Sequence, residues 1–182
     1  MVQPDGSIVR ELGKIHVYTG DSKGKTTASL GLALRAVGRG LNVYIGQFMK
    51  KRHCGEHEAI EKYLSGQIKI EQFGTGSFVF GKPRQKDYDV ARDGFEKTVA
   101  ALHSGEYQMV IMDEINVAVS AGVVNVEDLL TLIAEKPENV ELVLTGRSAH
   151  AKVVEVADLV TEMKVIKHYY DSGVSSRKGI EE

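Results

Sequence analysis

The chain has 182 residues, the length of one domain, and a net charge of −2, so no global field recruits nucleic acid or an anionic membrane surface. Hydrophobic residues make up 42% and charged residues 26%, an ordinary soluble mix, and a domain of this size buries roughly two-thirds of its unfolded-chain surface. One cysteine, Cys54, excludes an internal disulfide and fits a reducing cytoplasm; no apolar run approaches the ~18 residues of a membrane span.

Residues 1–13 carry no apolar signal-peptide core and read as a polar N-terminal arm, followed by a single domain over 14–182. Lys14–Thr19 reads as the first strand, and helical periodicity follows from Thr26 to about Val37, stopped by Gly38 and Gly40. Asn42–Phe48 is a second strand, Glu56–Ser65 a helix and Ile68–Phe73 a strand. Gly74–Lys86 is a long loop with three glycines and a proline, carrying the aromatics Phe78 and Phe80. Tyr88–His103 is a helix, Met109–Asp113 a buried strand, and Asn125–Ala134 a helix with Asn125 as N-cap. Val140–Thr145 is a strand, Ala149–Ala157 a helix and Leu159–Val165 the last strand; the tail from Lys167 shows no regular pattern. Strands alternating with helices predict an α/β fold, a mainly parallel sheet with helices on both faces.

The strongest motif is Gly20-Asp21-Ser22-Lys23-Gly24-Lys25-Thr26-Thr27, placed after an apolar strand and opening a helix. Its glycines let successive backbone N–H groups turn inward on an anion, and the helix N-terminus adds partial positive charge. Lys25 is read as solvent-facing, reaching phosphate oxygens as a point charge, with the Thr26 hydroxyl on Mg²⁺. Three residues, not the common four, separate Gly20 from Gly24-Lys25, so the loop is one residue short. The plain alternative is a strand–turn–helix corner that merely uses glycine. Nucleotide phosphates are the expected ligand.

Such a site needs an acid at the end of another hydrophobic strand, and Asp113-Glu114 supplies two. One would hold Mg²⁺; the alternative is a carboxylate capping the helix that follows. Arg147, after strand Val140–Thr145, is placed to contact phosphate, or else is a surface arginine in a turn. Phe78 and Phe80 would by themselves be a hydrophobic plug. Cys54 and His57 are too few for a structural zinc site. His168 is read as a hydrogen-bonded structural histidine, a metal ligand being the alternative, and His150 as lying in a helix's first turn.

Taken together, the residues resemble the P-loop ATP:corrinoid adenosyltransferases of the bacterial cobalamin pathway. The short Gly-x-x-x-Gly-Lys-Thr-Thr loop carries the resemblance. So do Ala36-Val37-Gly38-x-Gly40, Gln47-Phe48, Thr75-Gly76 with aromatics nearby, Asp113-Glu114, Thr145-Gly146-Arg147, Ala157-Asp158, and the closing Val165-x-Lys167-His168-x-x-Asp171-x-Gly173-Val174 with Gly179-Ile180. Two departures stand out. Asp21 replaces a common asparagine, and the family's Phe-x-Trp after Thr-Gly is matched by Phe78-Val79-Phe80, one residue later and without tryptophan.

The resemblance implies a RecA-like P-loop fold, usually a cytoplasmic homodimer. It implies transfer of the 5′-deoxyadenosyl group of ATP to the Co(I) of a corrinoid, with release of inorganic triphosphate. Cobalt would be the nucleophile, so no Ser/His/Asp or Cys/His constellation is required. Gly20–Thr27 would bind the triphosphate, with Lys25 stabilising it and Thr26, Asp113 and Glu114 around Mg²⁺. Phe78 and Phe80 would exclude the corrinoid's lower ligand, leaving four-coordinate Co(II) that a flavoprotein reductase reduces. The rival readings are an ATPase or phosphotransferase, with Glu114 orienting water, and a nucleotide-dependent switch.

Overall fold

A computed structural model describes residues 12–76 and 82–182. Six strands form one sheet in the order β3-β2-β4-β5-β1-β6, and every neighbouring pair is parallel. The strands are β1 (Ile15–Thr19), β2 (Val43–Phe48), β3 (Ile68–Phe73), β4 (Met109–Asp113), β5 (Glu141–Thr145) and β6 (Leu159–Glu162). The helices are α1 (Lys25–Val37), α2 (Gly55–Ala59), α3 (Gln85–His103), α4 (Ile115–Ser120), α5 (Val126–Glu135) and α6 (Ala151–Val156). A π-helical turn, Ile60–Leu64, extends α2. Among the described residues no helix is long and apolar enough to cross a membrane.

Parallel strands need crossover connections, and these cover both faces of the sheet, so the central strands are apolar on both sides. Tyr44, Phe48, Val110, Met112, Leu142 and Leu144 face a cluster completed by α3, α5 and α6. The alternate residues Val43, Ile45, Met109, Ile111 and Val143 face Ala33, Ala36 and Val37 of α1 and Ile60 after α2. The expected layering therefore holds.

β5 lies between β1 and β4. The ends of β1, β5 and β4 thus place the loop after β1, Thr145 and Asp113 side by side. α5 starts where the pattern put it, with Asn125 Oδ1 accepting from the Glu127 amide at 3.0 Å. The last strand is shorter than expected, ending at Glu162. β6 has a hydrogen-bonded neighbour on one side only, and each of its residues is exposed, so little holds the chain extended beyond it. The unassigned tail contains a 3₁₀ turn, Tyr169–Ser172, capped by His168 Nδ1 accepting from the Tyr170 amide at 3.1 Å. His168 is thus hydrogen-bonded, as expected, and His150 caps α6 in the same way, through Lys152.

Candidate nucleotide and metal site

The loop after β1 turns through Gly20 at φ 97° and Gly24 at φ 122°, a region that side chains strongly disfavour. A Cβ at Gly20 would overlap the backbone of Met163, whose carbonyl accepts from the Ser22 amide at 3.1 Å. The segment after β6 therefore braces the loop from behind. Asp21, Lys23 and Thr27 are exposed, while Ser22 and Gly24 are half-buried. Lys23 turns to the C-terminal tail, donating to the Ile180 carbonyl at 3.2 Å and lying 3.8 Å from Glu181.

Lys25 corrects one expectation. It is only 6% exposed, and its ammonium donates to the Gly20 and Ser22 carbonyls, each at 2.7 Å. It is folded beneath its own loop as an internal strut, which a reading of charge and spacing does not reveal. Burial chiefly draws its pKa below the usual lysine value; Glu114 opposes that and Arg147 reinforces it.

Asp113, 1% exposed at the tip of β4, is the hub. Its Oδ1 accepts from the Thr26 hydroxyl at 2.9 Å and the Thr145 hydroxyl at 2.7 Å. Its Oδ2 accepts from Gln47 Nε2 at 3.2 Å and Lys50 Nζ at 2.6 Å. Glu114 follows in the left-handed region at φ 62° and makes no side-chain capping bond to α4, which removes the capping alternative. Its Oε1 lies 3.9 Å from Lys50 Nζ. Burial raises the Glu114 pKa, with Lys50 opposing and Asp113 adding to it. Burial alone would lower the Lys50 pKa, but Asp113 and Glu114 together hold it above the ordinary value.

Met49, Glu114 and Ser148 are the non-glycine residues with positive φ among those described, one after each of β2, β4 and β5. Backbone strain is thus concentrated at the strand ends that surround this cluster. Arg147, exposed beside Ser148, lowers the pKa of both Lys25 and Glu114, so its charge bears on the same cleft.

Sequence reasoning missed Lys50, and it noted Gln47 without a role. Gln47 is fully buried; its Oε1 accepts from His57 Nε2 at 2.8 Å and Gln72 Nε2 at 3.2 Å. Since Asp113 only accepts, Gln47's amide orientation is fixed, and His57 must carry its proton on Nε2. His57 Nδ1 then accepts from the Cys54 amide at 3.0 Å. The ligand atoms of Cys54, Glu56 and His57 come within 4.8 Å of one another. Yet both His57 nitrogens are engaged, and burial pushes the Cys54 thiol pKa up, away from the thiolate a metal requires. A glutamine next to the end of an otherwise apolar strand was the visible signal for this relay.

Phe78 and Phe80 lie outside the described residues. The segments flanking them are tied together: the Thr75 hydroxyl donates to Asp87 Oδ1 at 2.7 Å, and the Arg84 amide donates to Asp87 Oδ2 at 2.9 Å. Gly74 lies flush against the Lys50 backbone, so this loop departs from the edge of the Asp113 cluster.

Residues 11–181 match the profile of the family described as ATP:corrinoid adenosyltransferase BtuR/CobO/CobP. A corrinoid adenosyltransferase from a Sinorhizobium species is 36% identical over 94% of this chain and 81% of its own. One from Escherichia coli is 33% identical over 94% and 86%, and one from Pseudomonas aeruginosa 30% over 94% and 84%. A KaiC-like protein from Pyrococcus horikoshii superposes with a TM-score of 0.57 at 18% identity, covering 90% of this chain and 77% of its own, a likeness of fold. With its profile matched from end to end of the described domain, the chain belongs to the ATP:corrinoid adenosyltransferase family.

Proposed function

We propose that this chain transfers the 5′-deoxyadenosyl group of ATP to the Co(I) of a corrinoid, releasing inorganic triphosphate. The observation that carries this reading is the convergence of Thr26, Asp113 and Glu114 beside the glycine loop, in a chain of this family. In the reaction an electron pair on cobalt forms the bond to C5′. The C5′–O bond breaks, and the leaving triphosphate departs with its electron pair. Cobalt is formally oxidised by two electrons in the same step, so no protein nucleophile is consumed.

The protein's part is placement and charge. Backbone amides of the Gly20–Thr27 loop, that of Ser22 excepted since Met163 holds it, would meet the triphosphate, and Lys25 would be released from the Gly20 and Ser22 carbonyls to join them. Arg147 contributes from the end of β5. Hard oxygens from Thr26, Asp113 and Glu114 suit magnesium, and the cation already among them, the Lys50 ammonium, marks the spot as one built for positive charge. Those three residues would hold the ion, which when bound neutralises charge on the leaving group. Phe78 and Phe80 are assigned to the lower face of the corrinoid. We further propose that the enzyme works in the cytoplasm as a homodimer and receives electrons from a flavoprotein reductase.

The rival reading is hydrolysis at the γ-phosphate. Phosphorus NMR separates the two. MgATP with a chemically reduced corrinoid should give equal amounts of light-sensitive adenosylated corrinoid and inorganic triphosphate, without ADP. Corrinoid-independent release of ADP and phosphate, with no adenosylated product, would overturn the assignment.

A further inference from the structure

Lys50 is the second residue past β2, and Met49, at φ 59°, turns the chain so that the lysine reaches back over the strand ends. Its ammonium lies 2.9 Å from Thr26 Oγ1, 2.6 Å from Asp113 Oδ2 and 3.9 Å from Glu114 Oε1. These are the three residues assigned above to the metal ion, and the inference rests on that assignment. Magnesium sits about 2.1 Å from its oxygen ligands. An ion bridging Thr26 Oγ1 and Asp113 Oδ2 would take the bridging position that the ammonium holds, so the two cations compete for it.

We propose that Lys50 is a tethered counter-ion that fills the metal position while nucleotide is absent and moves onto the triphosphate when metal and nucleotide bind together. Its side chain is 31% exposed, against 1% for Asp113, so it has room to swing outward while Asp113 stays fixed. A four-carbon stem with a compact cationic head suits that movement. The anion arriving with the metal gives the displaced charge a new partner. Lys50 therefore couples the two ligands. A bare divalent ion must evict an ammonium that then has no partner, whereas a metal–nucleotide complex supplies one. Lys50 would then contact the leaving group directly, and between turnovers it balances the Asp113 carboxylate.

The test uses Mn²⁺ and electron paramagnetic resonance on the full chain, without corrinoid. Nucleotide-free wild type should bind Mn²⁺ weakly, and Lys50→Met should bind it roughly tenfold or more tightly, within the usual span of such couplings. With ATP present the order should reverse, the variant binding the Mn²⁺–ATP complex more weakly than wild type. Lys50→Gln, closer to the native polarity, serves if Lys50→Met does not fold, and should behave alike. Equal Mn²⁺ affinity of wild type and variant without nucleotide would overturn the proposal. Failure of the underlying metal assignment is distinguishable. If Lys50→Met/Asp113→Asn still binds Mn²⁺ as tightly as Lys50→Met, the ion sits elsewhere and the proposal falls with it.

Discussion

Thr75 and Asp87 meet across the mouth of the glycine-rich loop, the threonine hydroxyl donating to the aspartate at 2.7 Å. The same carboxylate accepts the Arg84 amide at the start of α3, so one side chain clamps both the entry and the exit of the loop that carries Phe78 and Phe80. Hydrogen bonds from Thr75 first, then from the Arg84 amide and side chain, hold the Asp87 pKa down at about 2, below its ordinary 3.8. A depressed carboxylate contributes stability that is fully present above the unfolded value and is lost as pH falls through the folded one. The clamp should therefore hold at neutral pH and loosen between about pH 4 and pH 2. Asp87→Ala should loosen it at every pH. We expect tryptic cleavage after Arg84 to accelerate roughly tenfold in the variant, with little change in the melting of the whole domain. Unchanged cleavage would show that the loop is held by other contacts.

Lys25→Ala removes a buried ammonium that braces two carbonyls of its own loop, and with it the charge proposed to meet the triphosphate. A charge-assisted hydrogen bond is worth roughly 1.5–3 kcal/mol, about ten- to a hundredfold in binding, and more where charge grows on a leaving group. The variant should fold, melt a few degrees lower, and lose at least that factor in turnover. Near-normal turnover with saturable ATP would remove Lys25 from the phosphate site.

The β-α alternation, both faces of the core and the glycine turn between β1 and α1 were legible because each is written in local pattern: strand runs, a glycine spacing, a helix start. Asp113 was legible as the acid closing an apolar strand. Its surroundings were not. Lys50 reaches Asp113 only because β2 pairs with β4 in the register Gln47↔Asp113, and no local pattern carries a pairing between strands 66 residues apart in sequence. The inward fold of Lys25 escaped for another reason. A lysine in a glycine loop reads as exposed, and only the loop's curvature places two carbonyls within its reach. The tail was unreadable because its order combines short turns with no strand or helix period and distant contacts, Lys23 with Ile180 and Arg52 with Glu182.

Phe80→Ala tests the proposed role of the loop aromatics. If the ring's task is to exclude the corrinoid's lower ligand before reduction, bypassing reduction should bypass the defect. We expect adenosylation starting from Co(II) corrinoid to slow by roughly tenfold or more, a cost in the range of one aromatic contact, while chemically prereduced Co(I) reacts almost normally. Equal slowing in both assays would make Phe80 a general packing residue.

Gln47→Leu probes the relay behind the Asp113 cluster. Gln47 is fully buried on the α1 face of β2, and its side chain joins His57 to Asp113. Leucine fills a similar volume, so the core keeps its apolar packing. The losses are polar: His57 Nε2–H keeps no acceptor, and Gln72 loses one of its two. A buried polar group left unpaired costs about 1–3 kcal/mol. Asp113 itself still accepts from Thr26, Thr145 and Lys50, so the cluster should survive. The expected result is a lower urea midpoint with an unchanged slope, since the surface exposed on unfolding is the same. Much of the cost belongs to the stranded imidazole, so removing both partners should cost less than the sum of the two single changes. Gln47→Leu/His57→Phe should therefore show a favourable coupling of about 0.5–3 kcal/mol relative to Gln47→Leu and His57→Phe taken singly. Strictly additive losses would mean that the hydrogen bond between Gln47 and His57 contributes nothing to stability, and that His57 is held in place by its Cys54 contact alone.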